Sequence, residues 1–88
     1  MKPKGTEEFI LLDKIVVTEG FLKTKPSVEK IHQAIEHVKR TGYLDEPITI
    51  KRESKILTDG YTRYIAAQKM GIDPVPIAYE KAPLHNHI

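Results

Sequence analysis

The stretch Ile56-Leu57-Thr58-Asp59-Gly60-Tyr61-Thr62-Arg63-Tyr64-Ile65-Ala66-Ala67-Gln68-Lys69-Met70-Gly71 constrains the fold more than any other part of the chain. Ile56 and Leu57 form a short, bounded apolar run, as a buried strand end does. Asp59-Gly60 is a turn dipeptide, and Gly60 tolerates backbone angles closed to residues with a Cβ. Good helix formers follow from Tyr61, and Gly71 stands where a left-handed C-terminal cap belongs. A strand that enters a helix through a glycine leaves unpaired N–H groups aimed at one point, a candidate phosphate site. Arg63 falls in the first turn of that helix, where a cation opposes the macrodipole by roughly 0.3–1 kcal/mol. Beside a bound phosphate the same arginine is a charge-assisted partner. The competing reading needs no ligand: Asp59 caps the helix and pairs with Arg63 four residues on. Spacing alone leaves both open.

The 88 residues point to one domain, residues 1–88, with room for a small mixed β-sheet and two to three helices, an α+β fold. The absence of cysteine excludes disulfides, zinc–thiolate sites and thiol nucleophiles. No apolar run approaches the ~20 residues that span a bilayer, and no hydrophobic core follows Met1-Lys2-Pro3-Lys4-Gly5, so a soluble, cytoplasmic chain without membrane contact is expected. A net charge of +2 is too small to argue for nucleic-acid binding by itself.

Residues 1–7 are polar and expected to be loose, as is the tail 81–88, leaving a core of about 9–80. Phe9 to Val17 is apolar and β-branched, which favours strand, with a break at Asp13-Lys14. Thr18 to Lys25 reads as a connection. Pro26 suits a helix's first turn, and Val28, Ile31, Ile35 and Val38 follow as one buried stripe. Lys39, Arg40 and Gly42 mark the end of that helix. His32 and His37, five apart, are off the spacing that stacks two ligands on one face. Pro47 to Arg52 alternates as a half-buried strand, and Glu53-Ser54-Lys55 turns it into the Ile56 strand as a hairpin. Asp73-Pro74 is a turn before a last strand, Val75 to Tyr79, whose Pro76 implies an edge position or a broken ladder. The letters His85-Asn86-His87 in the tail echo a nuclease label without the spread of residues such a site needs.

Thr58-Asp59-Gly60-Tyr61-Thr62-Arg63-Tyr64-Ile65-Ala66-Ala67, with Gly42 and Pro47-Ile48-Thr49-Ile50 upstream and Gly71-Ile72-Asp73-Pro74-Val75-Pro76-Ile77 downstream, resembles the ParB/sulfiredoxin-like domain over roughly residues 9–80. The resemblance implies a Gly-x-x-Arg box in which Gly60 and Arg63 hold nucleotide phosphates at a helix N-terminus. Departures narrow it. Sulfiredoxins carry a cysteine where Tyr61 stands, so sulfinic-acid reduction is excluded. Tyr61-Thr62 replaces the Glu-Arg usual in chromosome-partition ParB proteins. Those proteins also carry a helix-turn-helix domain and a dimerisation region after this fold, so sequence-specific DNA clamping is not expected of this polypeptide alone.

Serine kinases related to the same fold use a glutamate after the first strand as base, which makes Glu19 the candidate catalytic residue. Lys23 and Lys25 are candidate phosphate contacts, Ser27 a candidate hydroxyl contact, and Asp59 a candidate Mg²⁺ ligand through water. The expectation is a domain that binds ATP or CTP with Mg²⁺ through Gly60, Tyr61, Thr62, Arg63 and a lysine at 23 or 25, with NTPase or phosphotransfer chemistry left open. The alternative is a DNA-associated accessory module of a plasmid, phage or mobile element, gripping phosphate backbones through Lys51, Arg52, Lys55, Lys23 and Lys25 without sequence preference. A scaffold that keeps the fold for contacts with a partner protein is the third.

Overall fold

In the computed structural model, which describes residues 2–81, four strands form one mixed sheet in the spatial order β1-β4-β2-β3. The strands are β1 (Glu8–Ile10), β2 (Ile48–Ile50), β3 (Leu57–Asp59) and β4 (Val75–Tyr79); the helices are α1 (Glu19–Leu22), α2 (Val28–Thr41) and α3 (Tyr61–Met70). β2 and β3 make the antiparallel hairpin that the alternation from Pro47 implies, with Thr49 opposite Asp59. β2 runs parallel to β4, Ile48 facing Ile77 and Ile50 facing Tyr79, while β1 is antiparallel to β4. A parallel pair needs a crossover, and β3 with α3 supplies it between β2 and β4. The result is the α+β fold expected from the sequence.

The period of two along β2 puts Ile48 and Ile50 into the core, where they, Leu44, Leu57, Val75 and Ile77 are 0–1% exposed. α2 packs against α3, and three of the buried residues on those helices are alanines: Ala34 beside Val38 on one, Ala66 and Ala67 on the other. Short side chains let the two backbones approach. Ser27 caps α2, its Oγ accepting the Lys30 N–H at 3.2 Å. Gly42 ends α2 in the left-handed conformation, and Gly71 ends α3.

Several expectations need correction. Of the two readings of Pro76 the edge position fails, since β4 lies between β1 and β2, and the interrupted ladder holds. The ring is tolerated because the ladder to β2 begins one residue later, at Ile77, so Pro76 is paired only with Phe9 of the outer strand. The connection after Val17 contains α1, and the break in the first apolar segment is a 3₁₀ turn, Leu12–Lys14, whose Leu12 N–H donates to Asp73 Oδ1 at 2.8 Å. Pro26 precedes the α2 cap instead of lying in the first turn. The buried stripe starts later than Val28, which is 81% exposed; Ala34 and Val38 are the buried members, with Ile35 packed beside them. Residues 3–6 form a turn in which the Thr6 hydroxyl donates to the Pro3 carbonyl at 2.7 Å, and Pro3 is buried. Of the expected loose tail, 82–88 lie outside the described residues, His85-Asn86-His87 among them.

Candidate functional site

Gly60 sets the geometry. It is the N-cap of α3, in the left-handed region at φ 91° and ψ 27°, and its backbone lies against β2. A Cβ built on it would stand 3.3 Å from Ile48 Cα and 3.6 Å from the Pro47 carbonyl oxygen. Asp59 does not cap the helix. Its Oδ1 accepts only the neighbouring Gly60 N–H, at 2.8 Å, and α3 has no side-chain cap. The N–H groups of Tyr61 and Thr62 therefore have no hydrogen-bond partner among the described residues, whereas those of Arg63 and Tyr64 both bond the Gly60 carbonyl at 3.0 Å.

An open groove of about 400 Å³ runs along this helix start. Asp59, Gly60, Tyr61, Thr62 and Arg63 line one side and Glu46, Pro47 and Thr49 the floor beside β2; Phe21, Thr24, Pro26 and Lys30 close it from α1, the following loop and the first turn of α2. Phe21 and Tyr61 meet with ring centroids 5.4 Å apart, and Tyr61 stacks on Tyr64 at 6.2 Å.

Arg63 does not pair with Asp59. Its Nε–H donates to Asp45 Oδ1 at 3.0 Å and its Nη2–H to Asp45 Oδ2 at 2.8 Å, with Glu46 3.6 Å from Nη2. The hydrogen bonds from Arg63, with its charge, hold the Asp45 carboxyl below its ordinary value against the opposing effect of burial. The bond to Asp45 likewise raises the guanidinium above its usual value. Nη1 donates to Thr62 Oγ1 at 3.4 Å.

The structure thus brings Asp59, Gly60, Tyr61, Thr62 and Arg63 to one groove. The other sequence candidates do not line it. Glu19 and Lys23 are exposed and 3.9 Å apart, a surface contact that contributes little. Lys25 is exposed, and the Ser27 hydroxyl oxygen is engaged as the α2 cap. The cations of the basic hairpin do not line the groove either: Arg52 lies over the Tyr79 ring at 4.0 Å and near Glu7 at 3.9 Å, and Lys55 Nζ donates to the Arg52 carbonyl at 2.6 Å.

Sequence reasoning missed Asp45, Glu46, Phe21 and Lys30. Only Lys30 carried a legible signal. It sits in the first turn of α2, a cation against the macrodipole, the same clue that singled out Arg63. Among the described residues Lys30 has no ion pair, and no group of three or more His, Cys, Asp or Glu side chains is arranged to hold a metal.

No family model matches the sequence, and no curated protein matches it. Among solved structures the chain is similar to a Pnob8-like ParB-N domain, with 26% identity and a TM-score of 0.69 over 84% of this chain and 29% of that one. The chain therefore spans less than a third of the length of the protein it matches.

Proposed function

We propose, for a chain that belongs by its fold to the ParB N-terminal-like superfamily, that the groove at the start of α3 binds a nucleotide through its phosphates. One observation carries the reading: the Tyr61 and Thr62 N–H groups are unpartnered, and both residues line the groove that Lys30 and Arg63 also line. Main-chain donors at a helix N-terminus, with the positive end of the macrodipole behind them, favour phosphate oxygens. Lys30 adds a point charge, and Arg63 adds Nη1. Phe21 and Tyr61 supply an aromatic wall of the kind on which a base stacks, which favours ATP or CTP over inorganic phosphate.

A magnesium ion suits the groove as a companion of the phosphates, since Mg²⁺ is commonly held by one or two carboxylates plus phosphate oxygens. Asp59 and Glu46 are the carboxylates that line it. The proposal is binding; Glu19, outside the groove lining, is given no part in it.

The test is thermal. With a dissociation constant near ~10 µM, ~1 mM nucleotide stabilises the folded chain by roughly 2.7 kcal/mol, an upward shift in Tm of the order of 10 °C for a domain of this size. Lys30→Ala and Arg63→Ala each remove most of that shift. No shift with ATP, CTP, ADP or GTP, with and without Mg²⁺, refutes the proposal.

A further inference from the structure

We infer that Asp45 is a positioning residue for the groove: its carboxylate holds the Arg63 guanidinium through Nε and Nη2 so that the Nη1 end is offered to a bound phosphate. The inference rests on the nucleotide-binding reading and deepens it.

The contacts at Nε and Nη2, 3.0 and 2.8 Å long, occupy the side of the guanidinium that carries Nε, one of the two edges with which an unattached arginine grips a phosphate. Asp45 itself does not line the groove, whereas Thr62 and Arg63 do. Nη1, which has no bond to Asp45, donates to Thr62 Oγ1, in the residue next to Tyr61, and the main-chain N–H groups of these two residues are unpartnered. Asp45 comes from the loop before β2, and the Arg63 and Asp45 side chains are only 19% and 27% exposed. Glu46 approaches the same Nη2 nitrogen. A guanidinium held in this way loses its rotational freedom on folding instead of on binding, which favours the bound geometry.

Asp45 also has an opposite effect. Its negative charge repels an arriving phosphate, and charge alone predicts that removing it tightens binding. Positioning predicts the reverse, so the sign of the change separates the two. Isothermal titration of ATP and CTP with Mg²⁺ compares the parent chain with Asp45→Ala, Asp45→Asn, Arg63→Ala and the Asp45→Ala/Arg63→Ala double variant. Asp45→Ala is expected to weaken binding about ten- to hundredfold, the span set by one charge-assisted hydrogen bond. That loss should approach the loss for Arg63→Ala, and the double variant should add little, because both remove the same interaction. Asp45→Asn keeps an acceptor and the side chain's volume, falls between the two, and serves if the alanine variant does not fold.

The Arg63 Nε–H resonance gives a second readout. It should be distinct and protected in the parent chain and join those of Arg40 and Arg52 in Asp45→Ala. Undiminished or tighter binding by both Asp45 variants, with affinity still lost in Arg63→Ala, overturns this inference and leaves the nucleotide reading standing. A parent chain that binds no nucleotide overturns both.

Discussion

Replacing Gly60 with alanine tests the geometry that brings α3 to the groove. Two costs fall on the folded state. Gly60 has φ 91°, and a residue with a Cβ loses roughly 1–2 kcal/mol in the left-handed region. The new methyl would also stand 3.3 Å from Ile48 Cα, 3.6 Å from the Pro47 carbonyl oxygen and 3.8 Å from the Thr49 nitrogen. All three are backbone atoms, so no side chain can rotate away; the 3.3 Å approach is the tight one, and overpacking of this kind typically costs about 1–3 kcal/mol. The sum is roughly 2–5 kcal/mol. Gly42 provides the control. It has a similar φ of 84°, yet nothing lies within 4 Å of its added Cβ, so Gly42→Ala carries only the conformational cost. Urea denaturation of both variants at 25 °C isolates the contact with β2. With a slope near ~1 kcal/mol/M for so small a chain, the Gly60→Ala midpoint should fall about 1–3 M further than that of Gly42→Ala. Equal midpoints would refute the close approach of Gly60 to β2, and with it the placement of the α3 start.

Two further outcomes follow from the charge contacts. The Asp45 carboxyl is held low in the folded state, so its bond to Arg63 contributes stability that is present above the unfolded carboxyl's ordinary range and is lost as pH falls through the folded value. Acid unfolding should therefore begin at higher pH in Asp45→Asn, which lacks that contribution at every pH, and its stability between pH 5 and 2 should change less steeply; parallel curves refute the pairing. The Tyr79 hydroxyl donates to Glu8 Oε2 at 2.6 Å, and this bond raises the phenol above its ordinary value. Ultraviolet titration, with Tyr79→Phe subtracted to isolate the signal, should show tyrosinate forming at lower pH in Glu8→Ala than in the parent chain; an unmoved titration refutes the contact.

What could be read in the sequence was local. The Asp59-Gly60 turn, the helix from Tyr61 to its glycine stop and the β2–β3 hairpin are each specified by neighbours within a few residues, and they form as read. The rest depended on pairings that no spacing announces. Asp45 meets Arg63 across 18 positions, because β2 and the start of α3 lie side by side, and the nearer Asp59 is left with its own Gly60 N–H. Pro76 enters an interior strand because the parallel ladder starts beyond it, a consequence of strand order and not of local pattern. Val28 is apolar and in phase with Ile31 and Val38, yet α2 meets the rest of the fold through Ala34 and Val38 and leaves its first turn outside. Lys23 and Lys25 are close in sequence to the first long helix, but the lysine that lines the groove is Lys30, inside that helix.

The Tyr61 and Thr62 amides carry the central claim, and their ¹H–¹⁵N signals during titration with ATP or CTP and Mg²⁺ test it most directly. The account predicts that both move progressively and saturate, with Gly60 and Lys30 moving beside them and Arg63→Ala weakening the response. Signals that stay still at 60–63, with salt-sensitive changes over the 51–55 hairpin when random duplex DNA is added, would contradict it.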